Sequence, residues 1–219
     1  MAELSYMDRR LEMLEIIRFL YDRKLTNAAG GNLSERVAEN RVLITPTMMS
    51  EHHRCRLNPE DLMIIDYDCN IIEGPDKLSR ESKMHTMLLK NFPEFGAVIH
   101  AHPQFSMCFA AFSQPIPSVT EATMKMGDCG VIHQAWAYSE ELAIRTNEYF
   151  MNNRERAQKM GLEGILPQHG IVAAAPTLNK AYSIVERVEY DAMANIFKPA
   201  VYAAQENLHA VSYTHLTSR

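Results

Sequence analysis

The spacing of apolar residues along the chain predicts helices and strands in alternation. Residues 4–24 carry apolar side chains at i, i+3 and i+4, as an amphipathic helix requires. The same spacing predicts helices over 79–91, 105–112, 139–152 and 177–207, the last interrupted at Pro199. Short apolar or alternating runs predict strands at 33–37, 41–45, 62–67, 71–72, 95–102, 164–166 and 170–175.

The order of these elements predicts one α/β domain. The first four strands follow one another with polar turns between them, which indicates an antiparallel meander, and the later strands alternate with helices. No repeat or linker divides the chain, so a sheet flanked by helices over residues 1–209 is the simplest architecture. Residues 210–219 lack helical periodicity, which suggests an irregular tail that is not native to the chain.

Composition narrows the class of protein. With 219 residues, of which 47% are hydrophobic, the chain can bury a sizeable core. A net charge of -5 argues against nucleic acid or an anionic membrane as a partner. The four cysteines form no Cys-x-x-Cys pair, and the N-terminus has no apolar signal core. We therefore expect free thiols and a cytoplasmic protein.

The pair His100-Ala101-His102 is the most specific chemical feature of the sequence. It ends the apolar strand at 95–102, and Pro103 follows it. Side chains at i and i+2 share one face of a strand, so both imidazoles point the same way. Two such groups can hold one zinc ion at about 2.0–2.1 Å. A pair of hydrogen-bonded core histidines fits the pattern as well.

Three further segments carry candidate chemistry. Glu81, in the first turn of the helix before the histidine strand, can be an oxygen ligand, a base, or a carboxylate that complements the helix dipole. His169 can be a third imidazole or a turn residue, and Gly170 after it permits close approach of the backbone. Residues 30–34 and 45–47 offer donors for a small anion, or form a tight turn into a strand.

Five blocks in this order resemble the class II aldolase and adducin family, especially its zinc-dependent fuculose-phosphate aldolases. The resemblance covers roughly residues 11–197. The blocks are Gly-Asn-Leu-Ser at 31–34, Ile-Thr-Pro-Thr at 44–47, Ser-Arg-Glu-Ser-Lys-Met-His at 79–85, Val-Ile-His-Ala-His-Pro at 98–103 and Gln-His-Gly-Ile-Val at 168–172.

The resemblance implies a fold, a site and an assembly. The fold is a three-layer α/β/α sandwich with a mostly antiparallel central sheet, and the assembly is a homotetramer with active sites at subunit interfaces. His100, His102 and His169 match the zinc ligands of the family. Glu81 matches the glutamate that ligates the free metal and then acts as acid and base. The segments that bind substrate phosphate contain Gly31, Asn32, Ser34, Thr47, Ser79 and Arg80.

The sequence departs from the family pattern at three places. Met48 follows Thr47 where relatives often have glycine. Arg80 replaces a second serine, and it can grip a phosphate or carboxylate or else close the pocket to phosphate. The family's proton-donating tyrosine is missing, so Glu121 is the nearest candidate acid or base, with a surface carboxylate as the alternative. For a C-terminal tyrosine lent by a neighbouring subunit, Tyr202 and Tyr213 are the candidates.

The expected function is that of a zinc-dependent aldolase. It would cleave a phosphorylated ketose, or a related sugar acid, through a metal-stabilised enediolate, with one zinc or other divalent ion per subunit. The same site would support a sugar-phosphate 4-epimerase, a dehydratase or a sugar-acid phosphate decarboxylase. A non-catalytic assembly module of the adducin type is the alternative of another class. His85, four residues after Glu81, is either a partner of the site or a histidine at the edge of the core.

Overall fold

A computed structural model describes the backbone of residues 4–216 and the side chains of residues 4–205. Within that range eight strands form one sheet in the order β4-β3-β2-β1-β5-β8-β7-β6. The strands are β1 (Asn32–Ala38), β2 (Arg41–Ile44), β3 (Met63–Ile65), β4 (Ile71–Glu73), β5 (Ala97–Ala101), β6 (Gly130–Val131), β7 (Leu162–Leu166) and β8 (Gly170–Ala175). All neighbouring strands pair antiparallel except β6 and β7, so the sheet is mixed but mostly antiparallel, as expected.

Helices cover both faces of this sheet. They are α1 (Met7–Asp22), α2 (Met49–His53), α3 (Ser82–Asn91), α4 (Ser106–Ala111), α5 (Glu121–Met124), α6 (Glu140–Asn152), α7 (Arg154–Met160) and α8 (Leu178–Leu216). One apolar core lies between the sheet and α1, α4 and α8, and a second lies between the sheet and α3, α6 and α7. The three-layer α/β/α fold is therefore confirmed.

Strand β5 lies at the centre of the sheet, between β1 and β8. Its odd-numbered residues face the α8 layer, where Ile99 joins the first core. Val98 joins the second core, and His100 shares its face by alternation. Both faces of the strand are covered, so every residue of β5 is buried. The fold thus carries a histidine on an interior strand beneath the α3 layer.

The predicted elements are largely present, with shifts at their ends. The early antiparallel meander is confirmed as β1 to β4. Helix α3 begins at Ser82 rather than Ser79, and Glu81 occupies its N-cap position without a side-chain cap. The helix predicted from residue 139 is confirmed as α6, and Ser139 caps it, because the Leu142 N–H donates to Ser139 Oγ at 3.1 Å. The sequence did not predict β6 or the short helices α2, α5 and α7.

The last helix is longer than the sequence predicted. The expected interruption at Pro199 is wrong, since α8 continues through it to Leu216. Residues 196–205 are exposed, so water can bond the carbonyl that proline leaves free. The prediction of an irregular tail from residue 210 is wrong for the backbone of 210–216. Residues 217–219 lie outside the described residues, and the domain boundary at 209 stays a prediction.

Two carboxylates of α8 hold the loops beside the sheet. Glu189 accepts hydrogen bonds from the Phe105 and Ser106 N–H groups at 2.6 and 2.8 Å, and so caps the start of α4. Asp191 accepts from the Thr120 N–H at 3.2 Å, just before α5. A carboxylate is favourable at such helix N-termini because the first backbone N–H groups have no partner within the helix. Helix α8 therefore fixes the positions of both short helices.

Candidate active site

Three imidazoles converge at the end of β5. His100 and His102 come from this strand, and His169 comes from the turn that precedes β8. Their candidate ligand atoms all lie within 4.8 Å of one another. The Nε2 atoms of His100 and His102 are 3.1 Å apart, close to the separation of about 3.3 Å that tetrahedral zinc would impose on two ligands. The three histidines can therefore share one metal ion.

Hydrogen bonding and burial prepare the imidazoles as ligands. His100 Nδ1 lies 2.9 Å from the Ile171 carbonyl oxygen, so it donates there and leaves Nε2 free to bind a metal. Burial lowers the pKa of His100 and brings the pKa of His102 to about 3. Both rings are consequently neutral, which is the form that coordinates a metal ion.

Glu81 completes the cluster with a carboxylate. Its Oε1 lies 3.1 Å from His169 Nε2, and its Oε2 lies 3.5 Å from His100 Nε2. Oε1 is buried and has no hydrogen bond of good geometry. Burial alone would raise the pKa of Glu81, but the His100 and His169 imidazoles and the Asn32 amide together lower it below its usual range. An ionised carboxylate oxygen that lacks a well-aligned hydrogen bond, beside three imidazole nitrogens, fits a divalent cation.

A chain of hydrogen bonds from the buried face of α3 reaches the Oε2 atom of Glu81. His85 Nδ1 lies 2.7 Å from Ser34 Oγ, His85 Nε2 contacts Asn32 Oδ1, and Asn32 Nδ2 donates to Glu81 Oε2 at 2.6 Å. Burial lowers the pKa of His85 to about 3, so the ring is neutral and carries one proton. Only one arrangement satisfies all members: Ser34 donates to Nδ1, and Nε2–H donates to Asn32. We name Ser34, His85, Asn32 and Glu81 the Glu81 relay.

Two glycines make room for the imidazoles. A Cβ added at Gly30 would overlap the ring of His102, with its Nε2 only 2.5 Å away. A Cβ added at Gly170 would lie 2.6 Å from the Ala101 carbonyl oxygen and 2.7 Å from His102 Cδ2. The close approach expected at Gly170 is therefore present, and Gly30 makes a similar one that the sequence did not indicate.

The cluster opens into a pocket lined by hydrogen-bond donors. Of the residues assigned to substrate binding, the pocket wall contains Gly31, Asn32, Thr47, Ser79 and Arg80, together with Glu81, His100 and His169. Ser34 does not reach the pocket, because it is fully buried beneath α3 and bonds His85 instead. The structure thus brings most of the assigned residues together in one cavity.

Glu121 lies away from this cavity within the chain. It is exposed at the first position of α5, and it is not part of the pocket wall. The candidate tyrosine Tyr202 is exposed on α8, and Tyr213 lies outside the residues whose side chains are described. Glu121 and Tyr202 therefore contribute nothing to the wall of this cavity within the described part of the chain.

Sequence reasoning missed Tyr138, which forms part of the pocket wall in the loop before α6. Its ring lies 3.7 Å from Arg80 Cζ, and its centroid is 6.5 Å from that of His169. Met48, which replaces the family glycine, has φ of 58°, so it keeps the left-handed backbone that a glycine would adopt easily. Neither position carries a local signal that could have revealed its contact with Arg80.

Comparison with known proteins identifies the family of the chain. Residues 11–196 match the family "Class II Aldolase and Adducin N-terminal domain". An L-fuculose phosphate aldolase from Methanococcus maripaludis is 33% identical over 185 residues, which cover 84% of this chain and 94% of that protein. A 3-oxo-tetronate 4-phosphate decarboxylase from Haemophilus influenzae is 30% identical over 183 residues, 81% of each chain. A solved structure of L-fuculose 1-phosphate aldolase superposes with a TM-score of 0.75 at 26% identity, covering 91% of this chain and 89% of that chain.

The chain belongs to the class II aldolase and adducin family. Within that family it is an enzyme of the class II aldolase type. Among residues 4–216, none of the helices combines the length and the apolar composition that a membrane span requires.

Proposed function

We propose that this enzyme is a zinc-dependent aldolase that cleaves a phosphorylated ketose or a related sugar acid. The observation that carries the proposal is the convergence of three imidazoles and one ionised carboxylate beside a pocket lined by donors. His100, His102 and His169 would hold the metal, with Glu81 as a fourth ligand in the free enzyme. The relatives named as aldolases of fuculose phosphate support this choice.

The bound metal would supply Lewis-acid stabilisation of the negative charge that develops on substrate oxygens when the carbon–carbon bond breaks. Glu81 would carry the proton to or from the substrate carbon that gains the electron pair. Its Oε1 has only the contact with His169 Nε2, which is not a well-aligned hydrogen bond, while Asn32 donates to Oε2. The relay thus fixes one oxygen and leaves the other available for the proton.

The donor-lined part of the pocket would bind the anionic end of the substrate. Asn32, Thr47 and Ser79 present neutral donors, the glycine backbone of 30–31 permits close approach, and Arg80 adds a positive charge. Such a site orients the substrate relative to the imidazoles and excludes water from part of the cavity.

We also propose a homotetramer with active sites between subunits. Glu121 and Tyr202 are exposed and take no part in the pocket wall of their own chain, so in such an assembly each would act in a neighbouring subunit. The exposed fractions of Phe112 and Trp136 are 76% and 81%, and a neighbouring subunit would bury these side chains if it packed over them.

The first experiment is metal analysis of the purified protein and of its His102→Ala variant, with aldehyde release from a panel of ketose 1-phosphates. The expected result is about one zinc per chain, lost in the variant, and cleavage of a panel member. His52→Ala, which removes an exposed histidine of α2, is the matched control and should keep its metal. A folded protein that binds no metal would refute the proposal and favour a non-catalytic module.

A second candidate is decarboxylation of a sugar-acid phosphate. Arg80 favours it, because a guanidinium in the pocket can bind a substrate carboxylate in addition to phosphate. Zinc binding without aldehyde release from ketose phosphates, together with carbon dioxide release from a 3-oxo sugar acid phosphate, would select this reaction. Zinc binding with neither activity would direct the search to epimerisation or dehydration.

A further inference from the structure

We propose that Tyr138 is a positioning residue that holds the Arg80 guanidinium over the pocket, where Arg80 binds an oxyanion group of the substrate. The oxyanion is a phosphate or a carboxylate, since both present paired anionic oxygens to the guanidinium fork. The inference rests on the proposed function, because that function supplies Arg80 with an anionic substrate.

Two contacts that involve no counter-ion hold Arg80. Its Cζ lies 3.7 Å from the centre of the Tyr138 ring, well within the distance of a cation–π interaction. Its Nη2 lies 3.8 Å from Met48 Sδ, a weak acceptor. Arg80, Tyr138 and Met48 all belong to the pocket wall. A guanidinium that stacks by its face keeps the N–H groups along its edge available to a ligand.

No carboxylate in the described part of the chain pairs with Arg80. The pocket wall contains two, Glu51 and Glu81. The Glu81 carboxylate accepts a hydrogen bond from the Asn32 amide and lies against the imidazoles. Glu51 is exposed and forms no ion pair with Arg80. An arginine beside several neutral donors, without a counter-ion of its own, is suited to bind an anion from solution.

The backbone fixes the Arg80 contacts in place. Met48 and Tyr138 both have left-handed φ angles, 58° and 68°, which are unfavourable for residues other than glycine and are concentrated at ligand sites. The segment before Arg80 is tied to the loop that follows β2, because the Thr47 N–H donates to the Lys77 carbonyl at 2.8 Å. These constraints hold Arg80 close to Thr47, one of the neutral donors.

Tyr138 also relates Arg80 to the histidines. Its ring stacks on Arg80 and lies with its centroid 6.5 Å from that of His169. The tyrosine therefore acts as a spacer between the cationic end of the pocket and the imidazole cluster. A substrate that reaches both must place its oxyanion group on the Arg80 side and its reacting carbons near Glu81.

The test measures binding of inorganic phosphate and of malonate by calorimetry, with full-length protein whose metal content is equal in every variant. Arg80→Ser should weaken binding of the preferred anion by about tenfold or more, since it removes a charged hydrogen-bond donor. Tyr138→Leu should weaken it about threefold to tenfold, and Tyr138→Phe, which keeps the ring, should stay within about twofold. The double variant Arg80→Ser/Tyr138→Leu should bind no more weakly than Arg80→Ser alone.

The preferred anion identifies the source of the oxyanion, phosphate or carboxylate. Unchanged affinity of Arg80→Ser for both anions would overturn the proposal, as would a Tyr138→Phe variant that is as weak as Tyr138→Leu. Both residues are partly exposed, so melting temperatures near that of the wild type are expected and verify folding.

The anion-binding experiment can fail or succeed independently of the proposed function, because anion binding needs no catalytic turnover. If the variants show the expected loss of anion affinity but the protein has no aldolase activity, only the proposed function is refuted. Aldolase activity whose KM is unchanged in Arg80→Ser would refute only the present inference.

Discussion

At the scale of single residues, the orientation of the Glu81 carboxylate depends on a histidine whose side chain does not bond it directly. His85 is fully buried and bonds Asn32, which in turn donates to Glu81. Only one assignment of hydrogen-bond donors and acceptors satisfies every member of the Glu81 relay. Loss of one member would therefore leave buried polar atoms unpaired and release the carboxylate.

We predict that His85→Leu lowers the free energy of unfolding by about 1–3 kcal/mol, because Ser34 and Asn32 lose their partner. It should also weaken metal affinity by about tenfold or more, since neighbours of ligands typically have effects of this size. Denaturant unfolding and competition with a chelator measure the two quantities. Leu88→Val, a milder change in the core of the same helix, should reduce stability and leave metal affinity unchanged. Equal metal affinity in His85→Leu would show that the relay does not orient Glu81.

Some of these site residues can be predicted from local spacing in the sequence, and others cannot because their contacts depend on the tertiary fold. The two-residue period of a strand is enough to place His100 and His102 on one face. Tyr138 meets Arg80 through a loop whose path depends on the whole fold, so no local spacing predicts the contact. His85 shares a helical face with Glu81, but its bond to Asn32 depends on how α3 packs over β1.

At the scale of elements, strand β7 buries a carboxylate against α7 and the loop before β6. Glu163 Oε1 lies 3.0 Å from Arg156 Nη2, while its Oε2 is buried without a hydrogen bond. Burial raises the pKa of Glu163 to about 8, although the Arg156 charge opposes this shift and the Asp191 charge adds to it. The folded protein thus keeps a proton on Glu163 that the unfolded chain loses near its ordinary pKa of about 4.3.

We predict that Glu163→Gln becomes increasingly stabilising, relative to the wild type, as the pH rises from about 5 to about 9. A raised carboxyl pKa in the folded state makes the wild type lose stability between the unfolded and folded pKa values, and glutamine removes that loss. The difference in free energy of unfolding should grow by at least about 1 kcal/mol over this range. Urea denaturation at several pH values measures it, with Glu39→Gln in an exposed turn as control. A difference that does not vary with pH would contradict the raised pKa.

Helices and strands are predictable from the sequence where their apolar residues recur with a regular period. The strands of the meander and the helices α1, α3 and α6 were all found from apolar spacing. The short helices α4 and α5 depend on Glu189 and Asp191, which lie far along the chain on α8. The apolar residues of α4 are enough to predict it. Helix α5 has only four residues, and the carboxylate that caps it comes from Asp191, far along the sequence.

At the scale of the whole molecule, the proposed tetramer accounts for the separation of Glu121 from the pocket. A residue exposed on one chain can complete the site of the next when subunits repeat around a symmetry axis. The family resemblance predicted this arrangement, and the position of Glu121 in the single chain is consistent with it.

We predict that two inactive variants restore activity together. Glu121→Gln removes the proposed acid and His102→Ala removes a metal ligand, so each alone should lose most of the aldehyde release. Mixed tetramers refolded or co-expressed from the two should regain about a quarter of wild-type activity, because some interfaces combine an intact histidine cluster with an intact Glu121. Absence of recovery in verified mixed tetramers would place Glu121 outside the neighbouring site.

The position of β5 between β1 and β8 also sets the time at which the site can exist. As the chain is synthesised, β1 to β5 can form a five-stranded sheet in which β5 is the outer strand. His100 and His102 then stand beside an unpaired edge until residues 170–175 have left the ribosome, and His169 arrives with them. A nascent chain therefore holds two of the three imidazoles while residues 103–169 emerge, and metal capture becomes one of the last events in its maturation.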